Sequence, residues 1–316
     1  MKADPGPVKQ AALDLGFDTV GVCSASPAES WGAFRSWLDE GRHGTMAYLQ
    51  RHAEIRQGAE RLLPGAKSVV AVTLNYLQPN PAVPGSPRIA RYALGKDYHK
   101  VLRRRLHRLA AAVRALHEGS ETRVCVDSAP ILEREYAHRA GLGWFGKNTM
   151  LIDSRRGSWF FLGLLVTTVD LGPDEPAQGG CGTCRRCVDA CPTGAIVLED
   201  GLWQVDARSC ISYQTIENRG DLGTGLHGWT FGCDVCQEVC PFNAPRPGQP
   251  LRAVGTTVPE FLDRRSWPSL EDVAAWDPEA WDRATQGSAV RRAGFEGLRR
   301  NAKRNLRESN GRSGSC

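Results

Sequence analysis

Residues 181–191 read Cys-Gly-Thr-Cys-Arg-Arg-Cys-Val-Asp-Ala-Cys, and Pro192 follows. No other stretch limits the fold so strongly. The spacing C-x2-C-x2-C-x3-C-P lets three thiolates hold one 4Fe–4S cubane while the fourth reaches a second. A second run, Cys233, Cys236 and Cys240, is spaced C-x2-C-x3-C and also ends in a proline, Pro241. Two cubanes take eight thiolates, and the runs supply seven. A crossed arrangement gives Cys181, Cys184, Cys187 and Cys240 to one cluster, and Cys191, Cys233 and Cys236 to the other. Cys23, Cys125, Cys210 and Cys316 are the candidates for the eighth ligand. Cys210 lies between the two runs and is the expected one. Zinc pairs more usually read C-x2-C…C-x2-C, without x3-C-P endings. A disulfide framework suits small secreted domains, not a chain of 316 residues.

That length allows two domains and a substantial core. Hydrophobic residues at 41% and charged residues at 24% are ordinary for a soluble globular protein. No apolar run is long enough to span a bilayer, so no membrane association is expected. The opening residues show no secretory h-region. With reduced cysteines, this predicts a cytoplasmic protein. The formal charge of +5 permits an anionic partner without demanding one.

Apolar periodicity predicts a helix over Val8–Leu15, a strand over Phe17–Cys23 and a helix over Ser30–Glu40. Cys23, in a strand, reads as a buried apolar-type thiol. Met46–Arg61 reads as mostly helical, and His43 and His52 as solvated or hydrogen-bonded side chains. Ser68–Tyr76 is nearly all apolar, as in a strand buried on both faces. Tyr98–His117 predicts a long basic helix with Val101, Leu102, Leu106, Leu109, Val113 and Leu116 as its buried stripe. Its Arg103, Arg104, Arg105 and Arg108 form a polar face, solvated by default. Asp127 ends a short strand before Pro130. It reads equally as a helix cap or as an acid in a cleft at a strand end. Three glycines in Gly141–Gly146 let backbone approach a ligand, but a helix precedes them, so they are no dinucleotide fingerprint. Thr149–Ile152 and Ser158–Val169 read as strands joined by a hairpin-like turn. Beyond residue 250 a short helix around Leu270 and a longer one over Ser288–Glu308 are predicted, the latter with seven basic residues. Either a solvated helix or contact with a polyanion fits that charge. Residues 309–316 read as a disordered tail.

Several stretches together resemble the epoxyqueuosine reductases, cobalamin-dependent iron–sulfur enzymes of tRNA modification. They are His43–Leu49, Tyr92–His99, Val126–Pro130, Gly143–Asn148, Gly157–Trp159, Cys210–Glu217 and Gly232–Gln237. They follow in the family's order over about residues 40–245. The resemblance implies an α/β (α+β) cobalamin-binding domain like that of reductive dehalogenases over 1–175. A ferredoxin-like two-cluster 4Fe–4S domain would cover 176–248, and a short C-terminal helical segment 249–308. Many family members continue into HEAT-like repeats that help grip tRNA. Residues 295–306 resemble only the start of that region, so the grip is expected to be weaker or built differently.

The implied reaction is the last step of queuosine biosynthesis, reduction of epoxyqueuosine to queuosine in tRNA. The oxidoreductase would use base-off cobalamin, passing between cob(II)alamin and cob(I)alamin, with both clusters and an unidentified low-potential electron donor. A monomer is expected. By resemblance Asp127 is the proton donor, and a desolvated pocket should raise its pKa. The implied cobalamin contacts are Arg56, Tyr98, Asp127, Asn148, Leu151, Ser158, Ser212 and Asp234. The basic stretches 98–117 and 291–307 are candidates for phosphate contact. Two other classes stay open: an electron carrier or corrinoid-reactivating protein without its own catalytic site, and a corrinoid reductive dehalogenase. The first leaves Asp127 and Gly143–Asn148 unexplained; the second usually carries an export signal.

Overall fold

The structure, a computed structural model, describes residues 2–244 and 251–313. Helix α1 (Gly6–Asp14) leads into strand β1 (Thr19–Ser24). Helices α2 (Trp31–Asp39) and α3 (Ala47–Arg51) follow. The pattern predicts helix as far as Arg61, but the chain breaks into two 3-10 turns, Glu54–Gln57 and Ala59–Arg61, because Gly58 between them is extended. Then come β2 (Ser68–Asn75), β3 (Arg88–Ile89), α4 (Tyr98–Leu116), β4 (Thr122–Cys125) and α5 (Glu133–Arg139). The short strands β5 (Trp144–Phe145) and β6 (Leu151–Ile152) precede β7 (Phe160–Thr167).

The main sheet has the order β1-β2-β7-β4. Every pair in it is antiparallel. All eight residues of β2 are buried. Alternate residues face opposite cores, as period-two geometry requires. Val70, Val72 and Leu74 meet α1 and α4, while Val69 and Ala71 meet Ala137 and Tyr136 of α5. Each such valine or leucine side chain, fully buried, contributes roughly 1.5–3 kcal/mol. Five of the six predicted stripe residues of α4 are buried. Leu116 is the exception: it stands in the last turn and is half exposed. The antiparallel sheet also revises the argument for Asp127, since the strand-end rule belongs to parallel sheets. The predicted hairpin between residues 149 and 169 closes only at its turn, where Asp153 bridges Gly157. Its arms part, β6 pairing with β5 and β7 with β2 and β4.

The cysteine region contains α6 (Arg186–Asp189), the hairpin β8 (Ile196–Glu199) and β9 (Leu202–Val205), α7 (Ile211–Ile216), β10 (Trp229–Phe231) and α8 (Val235–Glu238). It is stitched to the first part by β10, which runs parallel to β3. After it come α9 (Pro259–Leu262), α10 (Leu270–Ala275), α11 (Pro278–Thr285), a 3-10 turn at Ala289–Ala293 and α12 (Gly294–Ser313). The long helix predicted from Ser288 is thus broken at Gly294, whose φ of +74° leaves the helical region. Val273, Val290, Leu298 and Ala302 share one core with Ile89, Leu94 and Phe231. Asn301 and Asn305 are buried and donate to the carbonyls of Thr215, Thr230 and Trp229. These bonds satisfy amides that burial would otherwise penalise, and they tie α12 to the cysteine region. The predicted tail is corrected in part: residues 309–313 continue α12. Residues 314–316, including the candidate Cys316, lie outside the described residues, as does the boundary predicted at residue 248.

Candidate functional site: a carboxylate–histidine relay and two sets of thiols

Asp97 caps α4, its Oδ1 accepting from the His99 amide. The same oxygen lies 2.7 Å from His99 Nδ1. The other ring nitrogen, Nε2, lies 2.9 Å from Asp127 Oδ2. One capping carboxylate therefore both starts the helix and aims an imidazole at Asp127. The His99 ring stacks on Tyr98 at 4.0 Å between centroids, and Tyr98 stacks on Phe161 at 4.2 Å. Packing thus limits where the imidazole can turn. His99 belongs to the quoted Tyr92–His99 stretch, but nothing in its spacing distinguishes it from a solvated histidine.

The expected rise in the Asp127 pKa is not found. Burial is the largest influence and pushes the carboxyl up, but the His99 hydrogen bond and charge, with help from Tyr98 and Arg292, outweigh it and hold the pKa below its ordinary value. His99 moves the other way. Burial alone would lower it, but its bonds to Asp127 and Asp97 raise it to about 9. At neutral pH the proton sits on the imidazole between two carboxylates. Glu133 is the second group that spacing did not single out. Burial, then the Asp127 charge, pushes it up to about 8. Its Oε1 accepts from the Asp127 amide at 2.6 Å. Asp127 caps no helix: α5 begins at Glu133 with Leu132 at its N-cap. It instead holds a left-handed backbone at φ +52°, uncommon for a residue with a Cβ.

Asp127 is both open and deeply set. Its side chain is 59% exposed, yet desolvation is the largest influence on its charge. Arg134 is likewise exposed while burial lowers its pKa. Protein crowds each of these groups on one side while solvent reaches the other. Arg56 reaches this neighbourhood and is buried, donating to the Ile131 carbonyl at 3.3 Å, while its Nε has no partner among the described residues. An orphaned buried donor is one that a polar edge of a bound cofactor would satisfy. A cavity lined by Ser24, Gln57, Arg61, Lys67 and Asp170 contains none of these groups.

The remaining candidate contacts are spread along one buried polar seam and its flanks. Ser158 Oγ receives bonds from Gln237 and Asn243. Asn148 donates to the Cys236 carbonyl at 3.3 Å. Asp234 is 2% exposed and accepts from the Arg91 amide at 2.8 Å and its guanidinium at 3.1 Å. Burial still raises its carboxyl to about 6. The Leu151 side chain is in the core that Val69 and Ala71 share with α5, leaving its backbone as the part able to face a ligand. Ser212 is half-buried on α7.

The cysteines fall into two electrostatic neighbourhoods. Cys187 is raised to about 11, first by burial and then by Cys181, Cys240 and Cys184. Cys240 feels burial, then Cys181 and Cys184. Cys233 is raised to about 12 by burial, with Cys210 and Cys191 also contributing. Cys236 feels Cys233, Cys210, Cys187 and Cys191, so it adjoins both sets. Thiols that raise one another as anions are the kind of set a cationic cluster neutralises. Among the described residues no three His, Cys, Asp or Glu side chains are placed to hold a single metal ion. Cys23 and Cys125 stand apart from both neighbourhoods. Each is buried and pushed up to about 12 by that burial.

Two family models match the chain. "Epoxyqueuosine reductase QueG, DUF1730" covers residues 56–128, and "4Fe-4S double cluster binding domain" covers residues 180–243. An epoxyqueuosine reductase of Synechococcus sp. is 41% identical over 293 residues, 90% of this chain and 88% of its own length. The solved structure of epoxyqueuosine reductase from Streptococcus thermophilus superposes with a TM-score of 0.82 at 29% identity, over 95% of this chain and 80% of that one. A crystal structure of an epoxyqueuosine reductase with an epoxyqueuosine-modified tRNA-Tyr stem-loop gives 0.81 at 30% identity, with the same coverage of both chains. A catabolic reductive dehalogenase, at 18% identity and a TM-score of 0.50, shares the fold over 95% of this chain and 37% of its own. On identity and coverage together, this chain belongs to the epoxyqueuosine reductase family.

Proposed function

We propose that this chain reduces epoxyqueuosine to queuosine in tRNA. The balance is an epoxide plus two electrons and two protons, giving an alkene and water. The observation that carries the reading is the Asp97–His99–Asp127 chain of hydrogen bonds, ending on an exposed carboxylate in a molecule that also groups eight cysteines into two sets. A bare alkoxide leaves poorly, and a placed general acid is worth about 10²–10⁴-fold. Asp127 is the group that faces the leaving oxygen; it rests as a carboxylate, and the proton it passes on comes from His99. Asp97 holds the imidazole in line and stabilises its charge. Glu133, bonded to the Asp127 amide, keeps the loop in place.

Cys181, Cys184, Cys187 and Cys240 would hold one cubane, and Cys191, Cys210, Cys233 and Cys236 the other. Arg56, Tyr98, Asn148, Leu151, Ser158, Ser212 and Asp234 would border cobalamin. When bound, these cofactors would supply single electrons from the cubanes and a strongly reducing, nucleophilic cobalt in base-off cob(II)alamin and cob(I)alamin. Cluster chemistry requires an outside low-potential donor. The polypeptide would act as a monomer in the cytoplasm, where tRNA is modified. Among the described residues no helix is long and apolar enough to cross a membrane.

Asp127→Asn tests the assignment. The variant should retain its iron and cobalamin, measured by metal analysis and absorbance, and lose about 10²–10⁴-fold in turnover. An unchanged rate would remove Asp127 from the chemistry.

A further inference from the structure

Arg292 lies outside both family-model matches, on the 3-10 turn Ala289–Ala293 just before α12. Its Nε and one terminal nitrogen, Nη2, each donate to Glu217 at 2.8 Å, a two-point fork against the end of α7. Nη1 has no partner among the described residues. The guanidinium carbon sits 5.4 Å from the Tyr48 ring centroid. Arg219 clamps the backbone beneath, donating to the carbonyls of Arg292 and Ala293. The Arg292 side chain is 55% exposed, and its charge reaches Asp127 and Tyr48. Four of the segment's other arginines are occupied elsewhere. Arg291 pairs with Asp282, Arg299 with Glu296 and Arg304 with Glu308, while Arg300 donates to the carbonyls of Gln214, Asn218 and Gly220. Arg103, Arg104 and Arg105 of α4 are bound to Ser128, Glu260 and the Gly16 carbonyl.

We infer that Arg292, oriented by Glu217 and backed by Tyr48, grips a phosphodiester of the target RNA strand at the rim of the Asp127 site. The inference rests on the proposed function and names the contact that the C-terminal segment contributes to it. A planar fork held at one edge keeps its remaining donors pre-aimed, which suits phosphate. Facing the group that meets the substrate favours an RNA phosphate over the phosphate of cobalamin, the other source of the same chemistry.

The test uses the anaerobically loaded full chain and an anticodon stem-loop RNA carrying epoxyqueuosine. Affinity is read by fluorescence anisotropy across a salt series, and cobalamin affinity by absorbance titration. Arg292→Gln should weaken RNA binding about tenfold at low salt and flatten the log–log salt slope by about 0.7, the share of one single-strand phosphate. It should leave cobalamin affinity unchanged. Arg292→Lys should keep the slope. Glu217→Gln breaks the same ion pair but keeps the cation, so it too should keep the slope. A simple pin between α7 and the C-terminal segment would make Arg292→Gln and Glu217→Gln alike in melting temperature and leave both slopes at the wild-type value; that result would overturn the inference. Loss of cobalamin instead of RNA would overturn it in favour of the cofactor phosphate. Wild-type protein that neither binds nor converts the RNA would sink the proposed function itself, and this contact with it.

Discussion

At Asp127 the decisive quantity is which neighbour holds the proton. A carboxylate in a hollow usually gains a proton by desolvation, but here a bonded imidazolium reverses the sign. His99 is charged up to about pH 9, so the Asp97–His99–Asp127 chain stays loaded across the neutral range. Its contribution to folding follows the same signs. The raised histidine stabilises fully below its ordinary value of 6.5, and this is lost as pH climbs toward 9. The lowered Asp97 and Asp127 stabilise above 3.8, and this is lost as acid titrates them. Turnover should therefore fall on an alkaline limb between about 8 and 9, the range that His99 and Glu133 set. His99→Gln should slow turnover and shift that limb down into the carboxyl range, because Asp127 would have to hold its own proton. A pH–rate profile in which the variant keeps the wild-type limb would show that His99 does not load Asp127. Tyr98, Tyr92, Glu133 and Arg292 also face this carboxyl, and each is unchanged by the substitution. Asp127 was legible as a candidate only through the family resemblance. The direction of its pKa was not, because that depends on a histidine 28 residues away in sequence.

Among elements, the best-read were those whose pattern is long and one-sided. The β2 run and the α4 stripe carry their own period, so β2 landed within a residue of the predicted span and five α4 stripe positions are buried. Pairing was less legible. The arms of the Ser154–Gly157 turn look like a hairpin locally, yet β7 finds larger apolar partners in β2 and β4. Close approach of elements is equally silent in sequence. Gly21 of β1 lies against the Ala140 carbonyl, where a Cβ would overlap backbone. Gly21→Ala should lower stability by about 1–3 kcal/mol, the usual cost of overpacking a rigid contact; a denaturation midpoint at the wild-type value would contradict the packing described. Cys210 opens α7 as its N-cap residue, and the cysteine run alone does not contain it. Cys210→Ala should cut iron from about eight per chain toward about four, since a cubane takes four ligands. Full iron retention would place the eighth ligand elsewhere.

On the scale of the whole molecule, the parts that sequence divides share their cores. β10 of the cysteine region pairs with β3, and α12 packs on both. This is why the charge of an arginine near residue 290 can act on Asp127, the proposed acid. Composition and charge carry no trace of that convergence; only the folded chain brings Tyr48, Asp127, Glu217 and Arg292 into one field. The account stands or falls on two-electron reduction at this point of convergence. The most direct measurement is nucleoside mass analysis of an epoxyqueuosine stem-loop after incubation with the anaerobic protein, holding about eight irons and a chemical reductant, with and without cobalamin. Queuosine should form, and only in the cobalamin-loaded sample. Epoxyqueuosine recovered intact from the fully loaded protein would contradict the account.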